Sequence, residues 1–129
     1  MADDYVQIMR SIDEALHQDD IEGFFSHFTD DVKSHIGGNN KLSGDYEGKD
    51  KLQDVFGRFM EAAGNYSFES HAYMADDEHG VTLQNSHFER DGRSMDLQEA
   101  FIMHFRDGKI SEMWYVPVNT RALDEWIGR

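Results

Sequence analysis

The chain contains no cysteine, which excludes disulfides, thiolate nucleophiles and thiolate metal sites. One proline and no low-complexity stretch among 129 residues argue against a disordered segment. Apolar runs extend only a few residues, so no segment reads as a membrane span. The opening MADDYVQIMR has neither the basic flank nor the apolar core of a signal peptide, and a cytoplasmic location is the expectation. Bases are scarce, 12 against 26 acids, for a net charge of −14. Such a surface repels nucleic-acid phosphates and anionic membranes. What remains is 39 % apolar content rich in Phe, enough for one core and one expected domain spanning 1–129.

The first half has helical periodicity. Tyr5, Met9, Ile12, Ala15 and Leu16 share one face of a helix over 4–17. Asp19 with Glu22 resembles a capping box, and Ile21, Phe24, Phe25 and Phe28 form the face of a short second helix that TDD then stops. VKSHIGG reads as a short strand, and NNKLSGDYEG as loop. Leu52, Val55, Phe56, Phe59, Met60 and Ala63 recur at helical intervals, with Gly64 as the stop. Gly57 inside that helix costs about 1 kcal/mol relative to Ala, which suggests close packing or room beside it.

From residue 67 the period becomes two. Strands are expected near 67–76, 80–90, 93–106 and 109–117, then a short helix TRALDEWI. Helices followed by an antiparallel sheet make the fold class α+β. Asp91-Gly92 as a two-residue turn pairs Arg90 with Arg93, Ser86 with Leu97, Gln84 with Glu99 and Thr82 with Phe101. The more aromatic face carries Gln84 and Glu99 as an adjacent polar pair. The other has an apolar centre of Val81, Leu83, Ala100 and Ile102, suited to a homodimer contact. Asp107-Gly108 treated alike pairs Phe101 with Trp114 and turns Trp114 inward. A longer loop or a bulge would instead bring in Met113 and Tyr115.

The stretches FFSHFTDDVKSHIGG, LSGDYEGKDKLQDVF, RDGRSMDLQEAFIMHFRDGKISEMW and RALDEWIG resemble the SnoaL-like branch of the nuclear-transport-factor-2-like superfamily. The resemblance covers nearly the whole chain. It implies a cone-shaped α+β barrel, its curved sheet wrapped around helices, with a pocket inside and usually a dimer. Relatives include ketosteroid isomerases, polyketide cyclases, epoxide hydrolases and proteins with no known activity. The isomerases' helix-one Tyr, their Asp after the first strand and their sheet Asp fall on Ile12, Ile36 and Phe101. The cyclases' Asp after the last-strand Trp falls on Tyr115. Neither machinery is carried over.

The candidates that remain are Glu99 as a general base and His35, at the end of the first strand, as a proton shuttle. Alternation sets His35 beside Lys33, away from Ser34 and Ile36. Tyr46 matches an aromatic that leans over the pocket in relatives. Gln84, Phe101, Trp114 and Phe59 complete the expected ligand-binding set. His79 falls opposite His104 on the outer face, but two histidines without a third ligand do not make a metal site, and none is expected. The chemistry implied is cofactor-free acid–base catalysis on an apolar, oxygenated small molecule. A non-catalytic binding module and a dimerising scaffold are the alternatives.

Overall fold

The computed structural model describes residues 2–129. Its elements run α1 (Ala2–His17), α2 (Ile21–Phe25), β1 (Phe28–Ile36), β2 (Gly44–Glu47), α3 (Lys49–Ala63), β3 (Asn65–Ala75), β4 (His79–Arg90), β5 (Arg93–Arg106), β6 (Lys109–Pro117) and α4 (Thr120–Ile127). The six strands form one curved, unclosed sheet in the order β2-β1-β6-β5-β4-β3. β1 and β6 are parallel and every other pair is antiparallel. The α+β expectation holds, with two free sheet edges instead of a closed barrel.

Both Asp-Gly bends are tight turns. Asp91 and Gly92 have φ of 54° and 77°, and Asp107 and Gly108 have 53° and 80°. Two successive positive φ values define the type I′ turn, whose twist matches that of the flanking strands. The β4–β5 register follows as expected: Gln84 faces Glu99, Thr82 faces Phe101 and Arg90 faces Arg93.

The β5–β6 register starts as expected, Phe105 opposite Ile110, then slips by one residue. Ser111 is the extra residue, its hydroxyl donating to the His104 carbonyl at 3.2 Å. Beyond this bulge Phe101 faces Tyr115 and Ile102 faces Trp114. A single inserted residue reverses every later side chain. Tyr115 and Met113 are therefore buried, and Trp114 leaves the inner face.

The first half departs from expectation in three places. Phe28 begins β1 instead of ending α2, and the residues after it continue as strand. α2 is capped by Asp20, which accepts from the Gly23 amide at 2.9 Å, and not by Asp19. That cap contributes about 1 kcal/mol. The expected loop 39–48 contains β2, an edge strand whose Tyr46 pairs with Ser34.

α1, α2 and α3 pack on the inner face of the sheet. Phe24, Phe25, Phe28 and Phe56 form an aromatic cluster with ring centroids 4.9–6.1 Å apart. Phe88, fully buried, meets Phe59, Tyr66 and Trp126 edge-on. Arg90 ties the ends of two helices together by donating to the carbonyls of Ala62 and Trp126. A cation at helix C-termini satisfies carbonyls that lack a partner within the helix and opposes their partial negative charge.

Candidate functional site

Between the helices and the inner sheet face lies a cavity of about 1000 Å³. Met9, Ile12 and Leu16 of α1 line one side, Phe56 and Phe59 of α3 another, and Phe101, Met103, Ile110 and Met113 of the sheet a third. Gly57 also lines it, and a Cβ there would meet nothing within 4 Å. The mid-helix glycine therefore marks open room and not close packing.

The polar part of this hollow centres on Glu99. The side chain is 1 % exposed, and it is absent from the cavity lining. Tyr66, Gln84 and Tyr115 line the cavity and reach it. Oε1 accepts from Tyr66 OH at 2.7 Å, from Gln84 Nε2 at 2.8 Å and from the Ser86 hydroxyl. Oε2 accepts from Tyr115 OH. The two carboxylate oxygens together accept four hydrogen bonds. The four donors replace the water that burial removes. Burial, followed by the Glu99 charge, pushes the phenols of Tyr66 and Tyr115 well above the usual tyrosine range. Both phenols therefore remain protonated and keep donating.

A second carboxylate, Asp13 of α1, lines the cavity and is 8 % exposed. Among the described residues only Tyr73 bonds to it, through a phenol 2.5 Å from Oδ2. Burial, with the bond to Asp13 next, raises the Tyr73 phenol above its ordinary value. One turn on, His17 stacks on Phe68, and its Nε2 lies 3.0 Å from the Phe68 carbonyl oxygen. A carbonyl accepts only, so Nε2 carries a proton and donates it. Asp13 and His17 were missed in the sequence. Their helical spacing puts both on the face of Met9 and Leu16, which was the signal available.

The expected site residues divide accordingly. Gln84, Phe101 and Phe59 line the cavity. Glu99 lies behind its wall. His35 and Trp114 do not reach it: they stack on each other on the outer face, with ring centroids 5.3 Å apart. His35 is bridged there between Asp45 and Glu112, each at 2.7 Å, and the bond to Asp45 chiefly raises its pKa. Strand alternation, which sets His35 on the same outward face as Lys33, accounts for His35, and the Ser111 bulge accounts for Trp114. Tyr46 lies outside the lining, and its hydroxyl donates to the Leu42 carbonyl at 2.7 Å.

An open curved sheet wrapped on helices around an inner hollow is the architecture of the nuclear-transport-factor-2-like, or cystatin-like, proteins. The model of the SnoaL-like domain matches residues 8–113, and the chain belongs to that family. A protein of unknown function with a cystatin-like fold from Xanthomonas campestris is 23 % identical, with a TM-score of 0.88 over 96 % of this chain and 98 % of that one. An NTF2-like protein of unknown function from Burkholderia pseudomallei is 19 % identical, with a TM-score of 0.86 over 100 % of both chains. TerC, crystallised with polyporic acid, is 18 % identical, with a TM-score of 0.85 over 96 % and 98 %. At these identities the likeness is one of fold. No curated protein matches the chain.

Proposed function

We propose that the chain binds a small apolar molecule in the inner cavity and recognises on it a hydrogen-bond donor, such as an alcohol, a phenol or an amine. The observation that carries this is the saturation of Glu99. Tyr66 OH, Tyr115 OH, Ser86 OH and the Gln84 amide protons are all directed to acceptors within the network. What the lining leaves for a ligand is acceptor capacity, on the Tyr115 oxygen, the Gln84 carbonyl and the second oxygen of Asp13. The negative charge behind them disfavours an anionic ligand. A structural neighbour's co-crystal with polyporic acid supports small-molecule occupancy of this fold. In this reading Glu99 is a positioning residue and not the base, because both of its oxygens are already occupied.

The test uses matched compounds. A set of apolar phenols, their methyl ethers, the corresponding ketones and carboxylates is compared by thermal shift. A phenol present at one hundred times its dissociation constant adds about 2.7 kcal/mol of stability. The ether and carboxylate of the same scaffold are expected to add far less. Equal or stronger stabilisation by the ketone or ether would overturn the reading.

A specific observation favours acid–base chemistry as a second reading. Asp13 is a buried carboxylate facing the hollow, with one oxygen fixed by Tyr73 and no other partner among the described residues. It is better placed than Glu99 to take a proton from a bound ligand, with the His17 ring one turn away at the rim. Dimerisation through the outer sheet face is supported by the half-buried Val81, Leu83, Ala100 and Ile102 and by exposed Val116 and Met74, at 41 % and 50 %. Light scattering of wild type and Ile102→Glu tests it: a dimer that becomes monomeric is the expected outcome.

A further inference from the structure

We propose that the turn between β3 and β4, together with β5, forms a binding site for a divalent late transition metal of the Zn²⁺ type, with Glu78, His79 and His104 as ligands. The site is independent of the cavity. Two of its ligands are directly opposed across the sheet, since His79 pairs with His104 in the β4–β5 register. Their rings sit with centroids 5.0 Å apart. The third comes from the turn, where a Glu78 carboxylate oxygen lies 4.0 Å from His104 Nε2. One ligand atom from each of the three falls within 4.8 Å of the others. Ligand atoms around a tetrahedral zinc at about 2.0–2.1 Å are roughly 3.4 Å apart. Glu78 is exposed, so its side chain has room to close the remaining gap.

The surroundings are arranged for this chemistry. Asp76 Oδ1 accepts from the amides of Glu78 and His79 at 2.8 and 2.6 Å, which holds the turn. The same oxygen lies 3.2 Å from His79 Nδ1. A neutral imidazole that donates Nδ1–H to a carboxylate carries its lone pair on Nε2, the tautomer and orientation a metal requires. The turn is also fastened to β5, because the Phe105 amide donates to the Glu78 carbonyl at 2.8 Å. Glu78 and His104 are thereby kept in register before any ion arrives. Two imidazoles and one carboxylate, with no sulfur, favour zinc and its neighbours over calcium or magnesium, which prefer all-oxygen shells. The fourth position would be left to water. An ion here would clip the β3–β4 turn to β5.

The experiment is calorimetric titration of the untagged 129-residue chain with Zn²⁺ in a weakly coordinating buffer. Co²⁺ absorption reports the coordination geometry. One equivalent is expected to bind. His79→Ala and His104→Ala should each weaken it at least about ten-fold, and Asp76→Asn by about ten-fold through loss of the orienting bond. His35→Ala and His87→Ala, which remove the other carboxylate-paired histidines, should leave it unchanged. Circular dichroism of the metal-free variants should match wild type, as none of the substituted side chains is buried. Absence of saturable one-to-one binding would overturn the proposal. Undiminished affinity in His104→Ala, or loss of binding in His87→Ala, would do the same.

Discussion

Replacing Glu99 with Gln keeps the shape of the side chain and changes only what its two ends offer. The amide oxygen can retain two of the donors now on Oε1, from Tyr66, Gln84 and Ser86. The amide nitrogen, placed where Oε2 was, presents a proton to the Tyr115 phenol, which at present donates to that position. Tyr115 must turn its own proton away and accept. Hydrogen bonds to a charged acceptor contribute about 1.5–3 kcal/mol each, against about 0.5–1.5 for neutral pairs. Weakening four of them loses about 4 kcal/mol. Removing a buried charge returns part of this, because its desolvation penalty disappears. The net expectation is a destabilisation of about 1–3 kcal/mol. Urea unfolding measures it as a lower midpoint with an unchanged slope. The same substitution aims the Tyr115 proton at the cavity, so ligand preference should move from phenols toward ketones and ethers. Gln mimics a protonated Glu. If Glu99→Gln is as stable as wild type and keeps the wild-type ligand preference, the four-acceptor description of this centre is wrong.

Three further outcomes follow from the packing. Gly57→Ala should stabilise the fold by up to about 1 kcal/mol in thermal or urea unfolding, since α3 gains helix propensity and the new Cβ meets nothing within 4 Å; a loss of stability would show that the hollow beside it is absent. Gly80→Ala should do the reverse, by about 1–3 kcal/mol, because its Cβ would lie 2.8 Å from both Met9 Sδ and the Phe105 ring, where α1 presses on β4. His35 has a raised pKa in the folded chain, through Asp45 first and Glu112 as well. Its contribution to stability is therefore complete below the unfolded value of about 6.5 and fades as pH rises through the higher folded value. His87, held by Asp96 and Glu89, acts in the same direction. Stability measured across that window should fall more steeply in wild type than in His35→Gln, and equal slopes would count against the bridge.

The alternation of residues from 67 onward and the two Asp-Gly bends were enough to place Glu99 beside Gln84 on an inner face, since a two-residue turn fixes register by counting. The helices were legible from apolar spacing alone. Boundaries were not: the same Phe28 suits the end of a helix face or the start of a strand, and only its pairing with Ile110 decides between them. Asp13 and His17 were hidden by their polarity, because a buried polar group has no sequence mark until a partner such as Tyr73 is seen to reach it.

Local chemistry along the chain thus determined the α+β class, the order of the main elements and one complete hairpin register, because periodicity and turn type are properties of neighbouring residues. Tertiary structure alone decided that Ser111 bulges, exchanging Tyr115 for Trp114 on the inner wall. It alone gathered four donors from three strands onto Glu99, and brought Glu78 to the two histidines. Each of those events joins residues distant in sequence, and hydrogen-bond saturation and side-chain approach are settled only where the strands meet.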